Sequence, residues 1–159
     1  MKNKIWIAVV LALTMSLIAG CSSTDKVVKQ IASAKQIVDD DQSAMMTVDL
    51  TDGYSVEFAS GAAYFYKGEP SDENEAIAFA YVISKKEYDN EIAYLTENKE
   101  SKDELKNLGE GAYSYGGESS REYFFPSEDG FYMKVAIEKA ALDDADSIYL
   151  RFSAHDVDG

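Results

Sequence analysis

The chain carries few side chains that can act as nucleophiles, bases or soft metal ligands. It has one cysteine, Cys21, and one histidine, His155, which lies in a predicted C-terminal tail. A nucleophilic triad needs a nucleophile with an adjacent base, and a zinc site needs several thiolate or imidazole ligands. We therefore predict no catalytic residue, no metal site and no cofactor. The 29 acidic residues leave a carboxylate-based hydrolase as an alternative.

Cys21 is placed for another chemistry, because it follows an apolar run near the N-terminus. Lys2 and Lys4 precede a run of 15 mostly apolar residues, 5–19. Crossing a bilayer as a helix takes about 20 such residues. A basic start followed by a shorter apolar run is typical of an export signal. One cysteine also allows no intramolecular disulfide.

The end of this run, Leu17-Ile18-Ala19-Gly20-Cys21, resembles the lipobox of bacterial lipoproteins, with two small residues before the cysteine. The resemblance covers residues 1–21. It implies that the Cys21 sulfur receives a diacylglyceryl group and that signal peptidase II cuts between Gly20 and Cys21. It also implies a lipid anchor on the extracytoplasmic face of the cell membrane, or in the outer membrane of a Gram-negative source. The alternatives are a plain exported protein and an uncleaved anchor.

The chain is strongly acidic, with a formal charge of −14 at pH 7. Removing residues 1–20 takes away Lys2 and Lys4 and no acid, which changes the charge to −16. Nucleic-acid binding needs a basic surface, so we exclude it. An acidic body should also be repelled by anionic lipid headgroups.

The sequence predicts three parts of the chain: the signal 1–20, a lipidated tether 21–43 and one domain 44–159. An apolar stripe at helical spacing predicts a short helix, or stalk, within the tether, formed by Val27, Ile31, Ala34 and Val38. Alternating apolar residues predict a three-strand meander over 46–67, with a hairpin at Asp52-Gly53.

Further strands are predicted at 76–83, near 112–117, at 121–125, at 131–138 and at 148–153. Ser84 and Glu87 have the spacing of a capping box, which predicts a main helix over 84–98. The same spacing at Ser101 and Glu104 predicts a short second helix. The expected fold is therefore α+β, an antiparallel sheet of six or seven strands with these helices packed on it.

A second resemblance concerns the order of the elements. A strand leads into a capped helix, then into Asn107-Leu108-Gly109-Glu110-Gly111-Ala112-Tyr113, then into a hairpin. This order is similar to that of small lipoproteins with a PsbP/Mog1-like α/β sandwich. The resemblance covers 44–153 and implies a fold that binds or scaffolds other molecules.

Tyrosine is the functional clue, because the chain has 11 of them. A tyrosine ring offers a flat apolar face and a polar tip, which suit partner and ligand surfaces. The candidate binding residues stand beside glycine-rich turns: Tyr64, Tyr66, Tyr113, Tyr115 and Arg121. We expect a binding or scaffold module for a partner protein or extracellular ligand. A cell-envelope structural component without its own ligand is the alternative.

Overall fold

The computed structural model describes residues 30–98 and 104–157. These ranges hold ten strands, two α-helices and two 3-10 turns. The strands are β1 Ile31–Asp39, β2 Gln42–Asp49, β3 Tyr54–Ala59, β4 Ala62–Lys67, β5 Ala78–Ile83, β6 Lys106–Gly109, β7 Ala112–Gly116, β8 Ser120–Pro126, β9 Tyr132–Glu138 and β10 Phe152–Asp156. The helices are α1 Lys85–Glu97 and α2 Ala145–Tyr149, and the 3-10 turns are Glu128–Gly130 and Lys139–Asp144. Within these ranges, neither helix has the length and apolarity needed to cross a membrane.

The strands form two antiparallel sheets. The small sheet has the order β1-β2-β10, and the large sheet has the order β3-β4-β5-β9-β8-β7-β6. This confirms the predicted α+β class and the antiparallel pairing. The small sheet is an addition to the single sheet that we predicted.

The main core lies between the two sheets. Met46 and Val48 of β2 pack in one cluster with Phe65 of β4 and Val135 of β9, and each is fully buried. Phe65 also meets Phe152 of β10 edge to face, with ring centroids 5.3 Å apart. The large sheet therefore has an inner face, which contacts the small sheet, and an outer face on the other side.

Helix α1 packs on the outer face of the large sheet. The Ser84 hydroxyl caps it by accepting from the Glu87 amide at 3.2 Å, as the capping spacing predicted. Its buried residues Tyr88 and Leu95 form a second cluster with Phe124. The predicted main helix is confirmed.

The predicted N-terminal helix is wrong from Ile31 onward, because Ile31–Asp39 is strand β1. The first part of that helix lies outside the described residues. In β1 the even-numbered residues 32–38 point inward. Of these, Ala32, Ala34 and Gln36 pair with β2, whose Ala44 and Met46 are fully buried. Short apolar residues fit a strand or a helix, and the tertiary pairing decides between them.

The predicted meander is also wrong, since β2 and β3 belong to different sheets. The Arg151 guanidinium holds their connection. Its Nη1 donates to the Thr51 carbonyl at 2.8 Å, and its Nη2 lies 3.2 Å from Asp52 Oδ2. The β3–β4 hairpin forms as predicted.

Two smaller predictions also fail. Residues 101–103 lie outside the described ranges, but from Lys106 the predicted second helix is strand β6, where Leu108 is exposed. The Asn107 side chain accepts from the Gly109 amide at 2.8 Å, and Gly109 has a φ of +94°, which ends this strand in a turn.

At the other end of the chain, Ile148 is in α2, and the last strand begins only at Phe152. That strand is long enough to include His155, so the histidine belongs to β10 rather than to a tail.

Candidate binding groove

Helix α1 covers only part of the outer face of the large sheet. Tyr88 of α1 lies against Tyr132 of β9 with ring centroids 4.3 Å apart, and Glu91 of α1 lies 3.8 Å from Lys134. Phe124 of β8 is buried in the same helix cluster. The outer face therefore has a covered half on β7, β8 and β9 and an open half on β3, β4 and β5.

The open half contains a groove with an aromatic floor. Tyr64 and Tyr66 of β4 are half-buried, as is Phe79 of β5. The register places Tyr64 opposite Phe79, and their rings meet edge to face at 5.4 Å. The Tyr66 hydroxyl donates to Glu57 Oε2 of β3 at 3.1 Å. Burial, with this hydrogen bond, raises the pKa of Tyr66 above its usual value.

The loop from β4 to β5 forms one wall of the groove. The Asn74 side-chain amide donates to the carbonyl of Lys67 at 3.2 Å and to that of Glu69 at 2.6 Å, so it fixes the shape of the loop. Gly68, with a φ of +86°, lets the chain leave β4 sharply. The groove has a volume of about 640 Å³, and its lining residues are Tyr64, Tyr66, Ser71, Asn74, Glu75, Ala76, Ile77, Phe79, Glu138, Lys139 and Ala140.

The rim of the groove is acidic. Glu75 and Glu138 line it and are exposed, and Lys139 is the one base in the lining. The loop adds further acids and no base, at Glu69, Asp72 and Glu73. Carboxylates around aromatic rings favour a cation, because a ring face attracts positive charge and the carboxylates pair with it.

The structure divides the five predicted binding residues among three places. Tyr64 and Tyr66 lie in the groove. Tyr113 and Tyr115 of β7 are on the same outer face, but they pack against the α1 cluster. Strands β5, β9 and β8 lie between the two pairs, which makes their separation about 19 Å at the usual strand spacing.

Arg121, the fifth residue, lies on the inner face beside Tyr123. A hydrogen bond to the Tyr123 hydroxyl raises the pKa of Arg121. That hydroxyl in turn donates to Asp146 Oδ1 of α2 at 2.7 Å. Burial, with the bond to Asp146, raises the pKa of Tyr123 to about 12. Arg121 therefore helps to attach α2 to the sheet and takes no part in the groove.

Sequence reasoning missed several groove residues. Phe79 was placed on a strand, but only the β4–β5 register shows that it faces Tyr64. Glu138 lies in the groove because its amide donates to the Ile77 carbonyl at 2.9 Å. This hydrogen bond joins the end of β9 to the groove. For Asn74, the one feature of the sequence that could have indicated a site is its place in a polar loop between two strands.

The described ranges contain no group of three or more histidine, cysteine, aspartate or glutamate side chains that could hold a metal ion. The carboxylates that line the groove, Glu75 and Glu138, are both exposed at an open surface. The site is therefore an open groove on the protein surface.

No protein-family model, curated protein or solved structure matches this chain.

Proposed function

We propose that this chain is a membrane-anchored lipoprotein of the extracytoplasmic face, and that its groove binds an extended basic segment of a partner protein. The observation that carries the binding proposal is the aromatic floor of Tyr64, Tyr66 and Phe79 inside an acidic rim. A lysine or arginine side chain of the partner would lie over a ring, with its charge near Glu75 or Glu138.

The anchor is proposed from the lipobox-like sequence, with cleavage after Gly20 and diacylglyceryl on Cys21. From Cys21 to Gln30, where the described fold begins, there are 9 residue steps. At about 3.3 Å per step these residues span about 30 Å at most. The anchor would therefore hold the domain close to the membrane, within reach of other proteins of that surface.

Calorimetric titration tests the groove. The probe is an acetylated peptide of alternating lysine and serine, added to the full mature protein in detergent, with the glutamate–serine peptide as comparison. We expect the lysine peptide alone to bind, and Tyr64→Ala to weaken its binding about tenfold. Binding should weaken as salt is raised, because the rim charges are solvent-exposed.

Tyr94→Ala is the matched control, since Tyr94 is a tyrosine on α1 that is 63% exposed and lies outside the groove lining. Glu138→Gln gives a second variant that leaves the aromatic floor intact. The groove proposal is wrong if Tyr64→Ala and Tyr94→Ala bind the peptide equally, or if the glutamate peptide binds as well.

Intact mass of the membrane-extracted protein tests the anchor separately. We expect a chain that begins at Cys21 and carries the mass of a diacylglyceryl group, and we expect Cys21→Ala to lose both the added mass and the membrane retention. An unmodified cysteine or a retained signal would overturn the anchor and leave the groove proposal standing.

A further inference from the structure

The two edge strands of the small sheet, β10 and β1, differ in whether their outer backbone groups have partners. On the outer edge of β10, the Ser127 hydroxyl accepts from the Ala154 amide at 2.7 Å, and Asp129 Oδ2 accepts from the Asp156 amide at 2.9 Å. This closes the β10 edge. At the opposite edge, β1 has 9 residues, and within 30–98 and 104–157 no strand pairs with its outer side.

The backbone groups that β1 presents at this edge follow from its pairing with β2. The Leu50 amide donates to the Gln30 carbonyl at 2.7 Å, and the register sets Ile31 opposite Asp49. Bonded and non-bonded pairs alternate along an antiparallel ladder, so the even-numbered residues from Ala32 to Gln36 bond to β2. The amides and carbonyls of the odd-numbered residues therefore point away from β2, at Ile31, Ser33, Lys35 and Ile37.

The side chains of the same residues lie on the outward face of the small sheet. Ile31 is 57% exposed and Ile37 is 79% exposed. Exposed isoleucines on an unpaired edge favour pairing with another strand. They are also spaced symmetrically about Ala34.

We propose that β1 is a homodimer edge, which pairs antiparallel with β1 of a second copy about a two-fold axis at Ala34. In this register Ile31 of each copy lies opposite Ile37 of the other, and Ser33 lies opposite Lys35. The outward backbone groups of all of these residues then have partners, and each exposed isoleucine is covered by another. The two small sheets become one continuous sheet.

The charges of β1 agree with a second copy as the occupant. The chain is acidic overall, but β1 contains a lysine, Lys35, and no acid before Asp39. Two copies of an acidic protein approach most easily through such a segment. The proposed register sets each Lys35 opposite a serine, so the two lysines do not face each other directly.

Sedimentation equilibrium of the full mature protein in detergent tests the dimer. We expect the wild-type protein to dimerise reversibly and Ile37→Lys to raise the dimer dissociation constant about tenfold, because two cross-strand isoleucine pairs are lost. Leu150→Lys is the matched control, since Leu150 is 70% exposed but lies at the end of α2. It should leave the constant unchanged.

Lys35→Pro tests the backbone pairing itself. This variant removes an amide that points to the free edge and not to β2, so the fold should persist while the dimer is lost. Circular dichroism shows whether the fold is kept, and a folded Lys35→Pro protein that dimerises like the wild type would overturn the proposal.

Cysteine cross-linking fixes the register. In a Cys21→Ser background, Ser33→Cys with Lys35→Cys should form disulfides between copies, because directly opposed residues lie within disulfide range. A wild-type protein that stays monomeric at all concentrations would overturn the proposal, as would equal effects of Ile37→Lys and Leu150→Lys.

Discussion

The covered and open halves of the outer face both contain tyrosines, but the surroundings of these tyrosines differ. In the covered half, Tyr88 is 8% exposed, and its ring packs against Tyr132 at a tilt. Its hydroxyl donates a hydrogen bond to the Gly111 carbonyl. In the open half, Tyr64 and Tyr66 are half-buried and no α1 residue lines the groove they form. On this face a tyrosine is packed where α1 lies over it, and it lines a groove where α1 does not.

The cation–π contacts show the same contrast. In the covered half, Lys134 of β9 lies 5.2 Å from the Phe124 ring centroid and 3.3 Å from Glu122. The chain thus supplies its own cation to an aromatic ring flanked by carboxylates. In the open half we propose that a partner supplies the cation.

The largest expected difference between the halves is in stability. Phe124 is fully buried beneath α1, so Phe124→Ala should lower the free energy of unfolding by about 3–5 kcal/mol. Tyr64→Ala in the open half should lower it by about 1 kcal/mol. Urea denaturation of the two variants measures both values. Equal losses would mean that the two halves do not differ in packing.

Alkaline pH should weaken the covered half. Burial raises the pKa of Tyr88 from 10.0 to about 12. The folded state therefore favours the neutral phenol, and this stability is fully present below pH 10 and is lost as the pH rises through about 12. Urea denaturation at a series of pH values should show this decline in the free energy of unfolding. Tyr88→Phe should make the decline with pH less steep. An unchanged slope in Tyr88→Phe would contradict the assignment.

A smaller effect is expected at the start of α1, the element that creates the covered half. Ser84→Ala removes the hydroxyl that caps the Glu87 amide and should lower the free energy of unfolding by about 1 kcal/mol. Ser84→Gly should lower the free energy of unfolding by only a few tenths of a kcal/mol, since glycine is tolerated at this position. A Ser84→Ala protein as stable as the wild type would mean that the cap does not stabilise the helix.

Local patterns predicted those elements whose determinants are close in sequence. The cap at Ser84 and the alternation of Met133, Val135 and Ile137 identified α1 and β9, because each depends on neighbours a few residues apart. The segment from Ile31 to Val38 was predicted as a helix, because its pairing with β2 is a tertiary contact that the local spacing does not contain.

The candidate binding residues show the same limit. Residue type alone selected Tyr64 and Tyr66, which line the groove. It also selected Tyr113 and Arg121, which have packing roles. The difference between them depends on where α1 lies and on which face of the sheet each strand presents. Neither property can be obtained from residue types near a glycine.

Tyrosine acetylation by N-acetylimidazole, mapped by mass spectrometry with and without the lysine–serine peptide, tests the contrast between the halves most directly. We predict that Tyr64 is acetylated readily and is protected by the peptide, whereas Tyr88 and Tyr123 stay unmodified in the folded protein. Peptide protection at Tyr94, or a Tyr64 that reacts equally with and without the peptide, would contradict the account.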